Sequence, residues 1–413
     1  MSRSRPPGMR PSAALMLMAS VFAVTTGYGV VLPVLPFLLE HQLANPGAAT
    51  VSRHTGMLSG AYMLALFVAA PLWGRLSDRI GRRLPLLLGL AGYVSALMMF
   101  TLSRELWLDY AARGLAGIFA AAVLPVALAY VGDTPPGAGR ARAFAWLNTA
   151  ALLGFLAGPL LGGWLATIGD PAQTDAHALR ATALRAPFLV SALLGAFVWS
   201  ASYLGLPKTR PHRSPRSVRE GEGREAGAVP PMRLFALSFL VTLGLGSFEV
   251  ALALRGRQVL GLGPADIALL FAVCMLLMIA VQGLIFTRDF AAIPARLTAP
   301  PTFAAMALGV LFLALAAKPV VVAILVGVIG AASGLLIPLI AYWVSLDAGA
   351  AQGVGQGKQI ASASFGQALG SGAAGILAGV GAGLPFWVTG ALLLVGSAIA
   401  LTLADGARAY RAS

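Results

Sequence analysis

Charge is what this sequence has least of. Asp, Glu, Lys and Arg make up 11% of its 413 residues, against 58% hydrophobic. Water-soluble domains carry about 25% charged residues, so a surface wholly in water is excluded. Cysteine is nearly absent too: the lone Cys274 excludes an internal disulfide and reads as a small apolar filler. No G-x-x-x-x-G-K-[ST] loop occurs, which argues against ATP-driven work. The four histidines, His41, His54, His177 and His212, are scattered, so no metal centre is expected. No nucleophile and base stand together as an enzyme would require, and no cofactor is expected.

What the chain has is apolar length. A membrane-spanning helix needs roughly 20 apolar residues, and such runs recur at 13–38, 55–74, 84–102, 107–131, 142–166, 186–205, 234–254, 265–286, 301–317, 319–345, 357–381 and 384–404. Barrel strands alternate apolar and polar residues over about 10 positions, whereas PVVVAILVGVIGAASGLLIPLIAYW is apolar all round. The expected fold is an all-α membrane protein of twelve spans in a lipid bilayer. The basic start and apolar centre of the first 24 residues resemble a signal peptide. The apolar run continues through VVLPVLPFLL, past the 7–15 residues or so of a signal core, so it reads as an uncleaved first helix.

The formal net charge of +14 invites a nucleic-acid reading. Placing the N-terminus in the cytoplasm puts 21 of the 29 Lys and Arg on the inner side, 7 on the outer side, and Arg113 within a span. That asymmetry is the positive-inside rule; the basicity is topology, both termini are cytoplasmic, and no nucleic-acid partner is implied. The dominance of Arg over Lys with abundant Ala and Gly suggests a high-GC bacterium, hence an inner membrane.

Residues 207–233 are the one long polar stretch, rich in Pro, Gly and Arg, and read as a cytoplasmic linker. The linker divides the chain into bundles of six helices, 1–206 and 234–413. The halves match weakly at offsets of 211 to 217: the segment ending in Asp78 aligns with that ending in Asp289, Gly117, Pro125 and Tyr130 with Gly330, Pro338 and Tyr342, and GYG at 27–29 with GLG at 244–246. Two parallel repeats imply a path for a small molecule at their interface near the midplane.

Between the second and third spans lies Gly74-Arg75-Leu76-Ser77-Asp78-Arg79-Ile80-Gly81-Arg82-Arg83. It meets every fixed position of G-x-L-[AS]-D-R-x-G-R-[RK] and resembles the signature loop of the major facilitator superfamily. Arg113, Gly117 and Ala120 are similar to a second family motif, R-x-x-Q-G-x-x-A, with Ala116 where the glutamine stands. Gly154, Gly158, Pro159, Gly162 and Gly163 of the fifth span resemble a motif of drug/proton antiporters. GVVLPVLPFLL resembles the start of tetracycline and multidrug efflux pumps. The resemblance implies a secondary transporter with pseudo-symmetric bundles, active as a monomer, and a gating relay of Asp78, Arg82 and Asp133.

Physical reasoning adds expectations. Gly74 and Gly81 suit tight turns. Asp78 is placed to meet the positive end of a neighbouring helix as a gate latch, with Arg79 and Arg83 beside it. The counterpart Asp289 lacks the arginine cluster. Pro159 removes a backbone donor and invites a kink, while the glycines suit close packing; a gating role and plain packing stay open. Gly366-x-x-x-Gly370 echoes the motif in the second half.

Charged groups within spans are costly and mark pathways. The candidates are Asp109, Arg113 and Glu249; the first span has no acid before Glu40, unlike efflux pumps that couple through one there. Glu249, roughly 22 Å up its span, is the leading candidate for proton coupling, the alternative being a structural pair with Arg255 or Arg257. Asp109 and Arg113 share a helix face, where they neutralise each other or serve the cavity; Arg113 and Glu249 are candidates for a charge pair across the halves. Tyr28, Tyr62, Tyr130, Asn148, Gln282, Tyr342 and Trp343 are further cavity candidates, with Met275 and Met278 as adaptable surface. The leading reading is proton-coupled efflux of a hydrophobic or amphipathic molecule. Its alternatives are an uptake carrier for a metabolite or chelated metal, and a non-transporting receptor or scaffold.

Overall fold

The structure is a computed structural model that describes residues 11–43, 46–133, 138–167, 176–207, 231–287, 295–348 and 352–403. Most of the expected linker, His212 and Asp289 lie outside them. Every regular element described is a helix: α1 Pro11–Gln42, α2 Ala48–Ile80, α3 Arg83–Leu102, α4 Leu106–Ala120, α5 Val123–Gly132, α6 Ala138–Thr167 and α7 Ala176–Gly205, then α8 Pro231–Gln258, α9 Pro264–Thr287, α10 Ala295–Leu313, α11 Pro319–Ala348, α12 Gln352–Val380 and α13 Leu384–Leu401. Proline opens α1, α8, α9 and α11, where its missing N–H and fixed φ suit a first helical residue.

Among the described residues ten helical stretches are long and apolar enough to cross a membrane, α4 and α5 counting as one over Leu106–Gly132. The break between these two falls at Ala121–Ala122. Pro125, four residues after Ala121, cannot donate to its carbonyl and crowds it. Two further helices stand outside the ten. The apolar stretch of α10, Leu297–Leu313, is shorter, and α12 is rich in Gly, Ser and Gln.

The expected loop between the second and third spans is mostly helix. α2 continues through Gly74, Asp78 and Arg79 to Ile80, and the chain reverses at Gly81, whose φ is 89°. Only a residue without a Cβ adopts that conformation cheaply. Gly74 makes no close approach, since a Cβ there meets nothing within 4 Å.

The chain forms two compact units. Unit 1 comprises Met1–Gln42 and Leu64–Pro215; unit 2 comprises Leu43–Met63 and Arg216–Ser413. Inside unit 1, α1 packs along α6 and α7, and α3 along α4 and α7. Inside unit 2, α8 packs along α12 and α13, α9 along α11, and α10 along α13 and α11. The start of α2 belongs with unit 2 because Gly56 lies against Gly375, a Cβ on the first falling 2.6 Å from the Cα of the second.

Candidate functional site

The turn after α2 is built around one guanidinium. Arg82 Nη1 donates to Asp78 Oδ1 at 2.5 Å and to Ser77 Oγ at 2.8 Å, while Nε donates to Asp133 Oδ2 at 2.9 Å. The Arg82 side chain is 8% exposed, Asp133 31% and Asp78 63%. Burial pulls the Arg82 pKa down, but the hydrogen bonds and attraction of Asp133 and Asp78 outweigh it, and the net direction is upward. The Asp78, Arg82 and Asp133 side chains thus meet in space. Arg83 turns elsewhere, donating to the Tyr203 carbonyl of α7 at 2.5 Å and lying over the Tyr203 ring. Arg79 is exposed. Ser77 was not foreseen; it is 1% exposed and passes its own hydrogen to the Gly74 carbonyl at 2.8 Å. Its signal was the small Ala-or-Ser position of the loop pattern.

Four charged side chains lie buried in the apolar helices: Asp109 at 1%, Arg113 at 3%, Glu249 at 3% and Arg255 at 9% exposure. In unit 1 the Arg113 guanidinium lies over the Tyr28 ring, 6.0 Å from its centroid. Such a cation–π contact is worth about 2 kcal/mol when desolvated. The Asp109 carboxylate is not neutralised by Arg113 as expected from their spacing; it accepts a hydrogen bond from Gln42 Nε2 at 2.8 Å. Gln42, at the end of α1, brings the donor within reach, whereas Arg113 points toward Tyr28.

In unit 2, Glu249 accepts a hydrogen bond from Gln367 Nε2 of α12 at 3.2 Å. Of the two arginines expected as structural partners, Arg255 donates through Nη2 to the Ala316 carbonyl at 3.1 Å. Gln282, Met275 and Met278 are buried, whereas Asn148 and Tyr342 are exposed. The cavity candidates therefore differ sharply in environment.

The fifth-span motif lies on α6 and packs against α1. A Cβ on Gly158 would fall 2.5 Å from the Thr26 carbonyl and 2.8 Å from Gly29 Cα; one on Gly162 would fall 2.6 Å from the Val30 carbonyl. Gly154 is equally crowded by Thr25 and Phe22, and Gly163 is buried. The Pro159 ring covers Gly29, with Cδ 2.8 Å from where a Cβ would sit, and α6 continues through it from Ala138 to Thr167. Unit 2 repeats the device: Gly366 and Gly370 of α12 abut the Phe239 and Leu243 carbonyls of α8. First helix against fifth is the common scheme.

An apolar cavity of about 460 Å³ opens at the start of α8, lined by Met232, Arg233, Ala236, Val395, Ala398, Ile399 and Thr402. Glu249 is sixteen residues further along α8, roughly 24 Å away at helical rise. Among the described residues no group of three or more His, Cys, Asp or Glu is placed to hold a metal ion.

Membrane-length helices, buried charges and close-packed glycine seams define a multi-pass membrane protein. The chain belongs to the Major Facilitator Superfamily, whose family model matches residues 17–358. It is 27% identical over 405 residues to multidrug resistance protein 1 of Bacillus subtilis (strain 168), covering 96% of each chain. It is 35% identical over 210 residues to the class C tetracycline resistance protein of Escherichia coli, covering 49% of this chain and 48% of that one. That match spans about half of the relative's length. Among solved structures, a D-xylose-proton symporter superposes with a TM-score of 0.75 at 14% identity, covering 96% of this chain and 98% of that one; this likeness concerns the fold alone. The chain is thus a transporter, not an enzyme.

Proposed function

We propose that this transporter exports a small hydrophobic or amphipathic organic molecule in exchange for protons, by alternating access. The observation that carries the reading is the end-to-end similarity, 96% of each chain, to a multidrug resistance protein. In this reading α10 and α12 join the ten apolar stretches to make twelve spans, with both termini in the cytoplasm of a bacterium's inner membrane. The halves are 1–206 and 234–413, joined by the linker 207–233, and the protein works as a monomer without ATP or a cofactor.

Each buried group then has a task. Glu249 takes up and releases the proton; Gln367 supports its charged form with an N–H donor. Arg113, held against Tyr28, supplies the fixed positive charge of unit 1. Arg82 anchors Asp78, the exposed member of the relay, as a gate contact that breaks and re-forms in each cycle. Moderate exchange energies suit this work, because a charge at mid-membrane costs about 2.5–3.5 kcal/mol on insertion scales.

The test is accumulation of fluorescent hydrophobic dyes in cells with and without the protein, each with and without a protonophore. Expressing cells are expected to accumulate less dye, and the protonophore to abolish the difference. Equal accumulation in all four conditions across a chemically varied dye panel would defeat the export reading.

A further inference from the structure

Asp109 lies in the first turn of α4 and is 1% exposed. One carboxylate oxygen, Oδ2, accepts the hydrogen bond from Gln42 Nε2 at 2.8 Å. The two remaining atoms of this pair, Asp109 Oδ1 and Gln42 Oε1, are both buried, and among the described residues neither has a hydrogen-bond partner. While Asp109 is ionised both atoms are acceptors, so neither satisfies the other. Flipping the Gln42 amide only moves the mismatch, since one amide oxygen then faces the other carboxylate oxygen. Each unmade bond leaves a desolvation cost with no return.

Besides Gln42, Ser103 is the neutral donor that approaches the carboxylate. Ser103 Oγ, beside the carboxylate, spends its hydrogen on the Glu105 carbonyl at 3.0 Å. Arg185 of α7 acts on Asp109 through space and itself faces Arg104 of the α3–α4 turn, yet no ion pair closes on Asp109 among the described residues. Arg113, one turn further along α4, lies over Tyr28. The remaining ionisable groups nearby in the chain are Glu40 and His41 of α1, Glu105 before α4 and Tyr110 beside Asp109 on α4.

A single proton satisfies both orphan atoms. Placed on Asp109 Oδ1, it turns that oxygen into a donor and gives Gln42 Oε1 the hydrogen it lacks, while Gln42 Nε2–H keeps its bond to Oδ2. Carboxylic acid and carboxamide then pair through two hydrogen bonds. We propose that Asp109 and Gln42 form a proton-binding site in which Asp109 is held as the neutral acid. The site stands at the far end of the Leu106–Gly132 stretch from Asp133, roughly 36 Å away at helical rise, and in a different unit from Glu249. That it exchanges its proton with the outer solution rests on the topology and proton coupling proposed above; the acid–amide pair itself does not.

The experiment is infrared difference spectroscopy on the purified full-length protein in detergent at neutral pH, which needs no transported substrate. Subtracting the spectrum of Asp109→Asn from that of the unmodified protein is expected to reveal a carboxylic acid C=O band. In Gln42→Leu the band moves to higher wavenumber, because the C=O loses the amide N–H. Glu249→Gln leaves the band in place. A difference spectrum with only carboxylate bands, or a C=O band unmoved by Gln42→Leu, would overturn the proposal. Since dye efflux is not read, failure of the export reading would leave this result standing.

Discussion

Arg82 and Asp133 are joined across 51 residues of sequence, Nε to Oδ2 at 2.9 Å, tying the turn after α2 to the end of α5. The same guanidinium holds Asp78, but the two acids differ in setting: Asp133 is 31% exposed and Asp78 63%. The buried side of the cluster is a structural tie, and its exposed side is available for a moving contact.

Mutations at the two ends of the cluster should therefore separate stability from transport. Asp78→Asn is expected to cost less than about 1 kcal/mol, the range of exposed ion pairs, while reducing dye efflux strongly. Arg82→Ala removes the charge-assisted bonds to Asp78, Ser77 and Asp133 from a buried position and should cost about 1.5–3 kcal/mol, read as a fall in the midpoint of thermal unfolding in detergent. Equal efflux by Asp78→Asn would remove the gate role from this residue.

The two glycines of the signature segment should respond oppositely. Gly74 is helical with open space around it, so Gly74→Ala gains helix propensity and stabilises by up to about 1 kcal/mol. Gly81 has φ 89°, and Gly81→Ala forces an L-residue into a left-handed conformation at a cost of about 1–2 kcal/mol. Thermal unfolding of both variants checks the sign. If Gly74→Ala unfolds at a higher temperature yet transports less, the glycine serves a different conformation from this one.

Much of the fold was legible because lipid leaves few options: long apolar runs become helices, in the order in which the sequence places them. The turn at Gly81 was legible too. The helical path through Gly74–Ile80 was not, because Gly, Ser and Asp are weak helix formers and packing overrides that preference. Nor were the partners of the buried charges. The spacing of Asp109 and Arg113 suggested a local pair, but Asp109 is bonded by Gln42, 67 residues away. Likewise Glu249 meets Gln367, 118 residues away, where nearby arginines drew attention. Neutral amides leave no charge pattern to read, and only the fold brings them to the acids.

The glycine seams should be intolerant of side chains in both units. Gly158→Val places a Cβ 2.5 Å from the Thr26 carbonyl, and α1 must move away from α6. Gly370→Val does the same between α12 and the Leu243 carbonyl of α8. Overpacking of this kind costs about 1–3 kcal/mol, and here the obstructing atoms are backbone that cannot rotate aside. Both variants are expected to reach the membrane in reduced amounts and to unfold at lower temperature, as fluorescence-detected size exclusion would show. A Gly158→Val protein as stable as the unmodified one would mean that the seam separates at little cost.

Glu249 is a buried acid on α8. Its carboxylate is 3% exposed and bonded by Gln367 Nε2 at 3.2 Å. Glu249→Gln keeps the side-chain shape and one oxygen acceptor for that bond, so thermal stability should change little. What it removes is the capacity to bind and release a proton. In proteoliposomes, the unmodified protein is expected to concentrate dye when a pH gradient is imposed, whereas Glu249→Gln should only equilibrate it, with exchange between equal pools retained. Gln367→Leu is the companion variant: it keeps the acid but withdraws the donor that supports its charged form. Because the acid itself remains, gradient-driven accumulation by Gln367→Leu should persist. Gradient-driven accumulation by Glu249→Gln at the unmodified rate would assign the coupling proton to another group, with Asp109 the remaining buried acid within the described apolar helices.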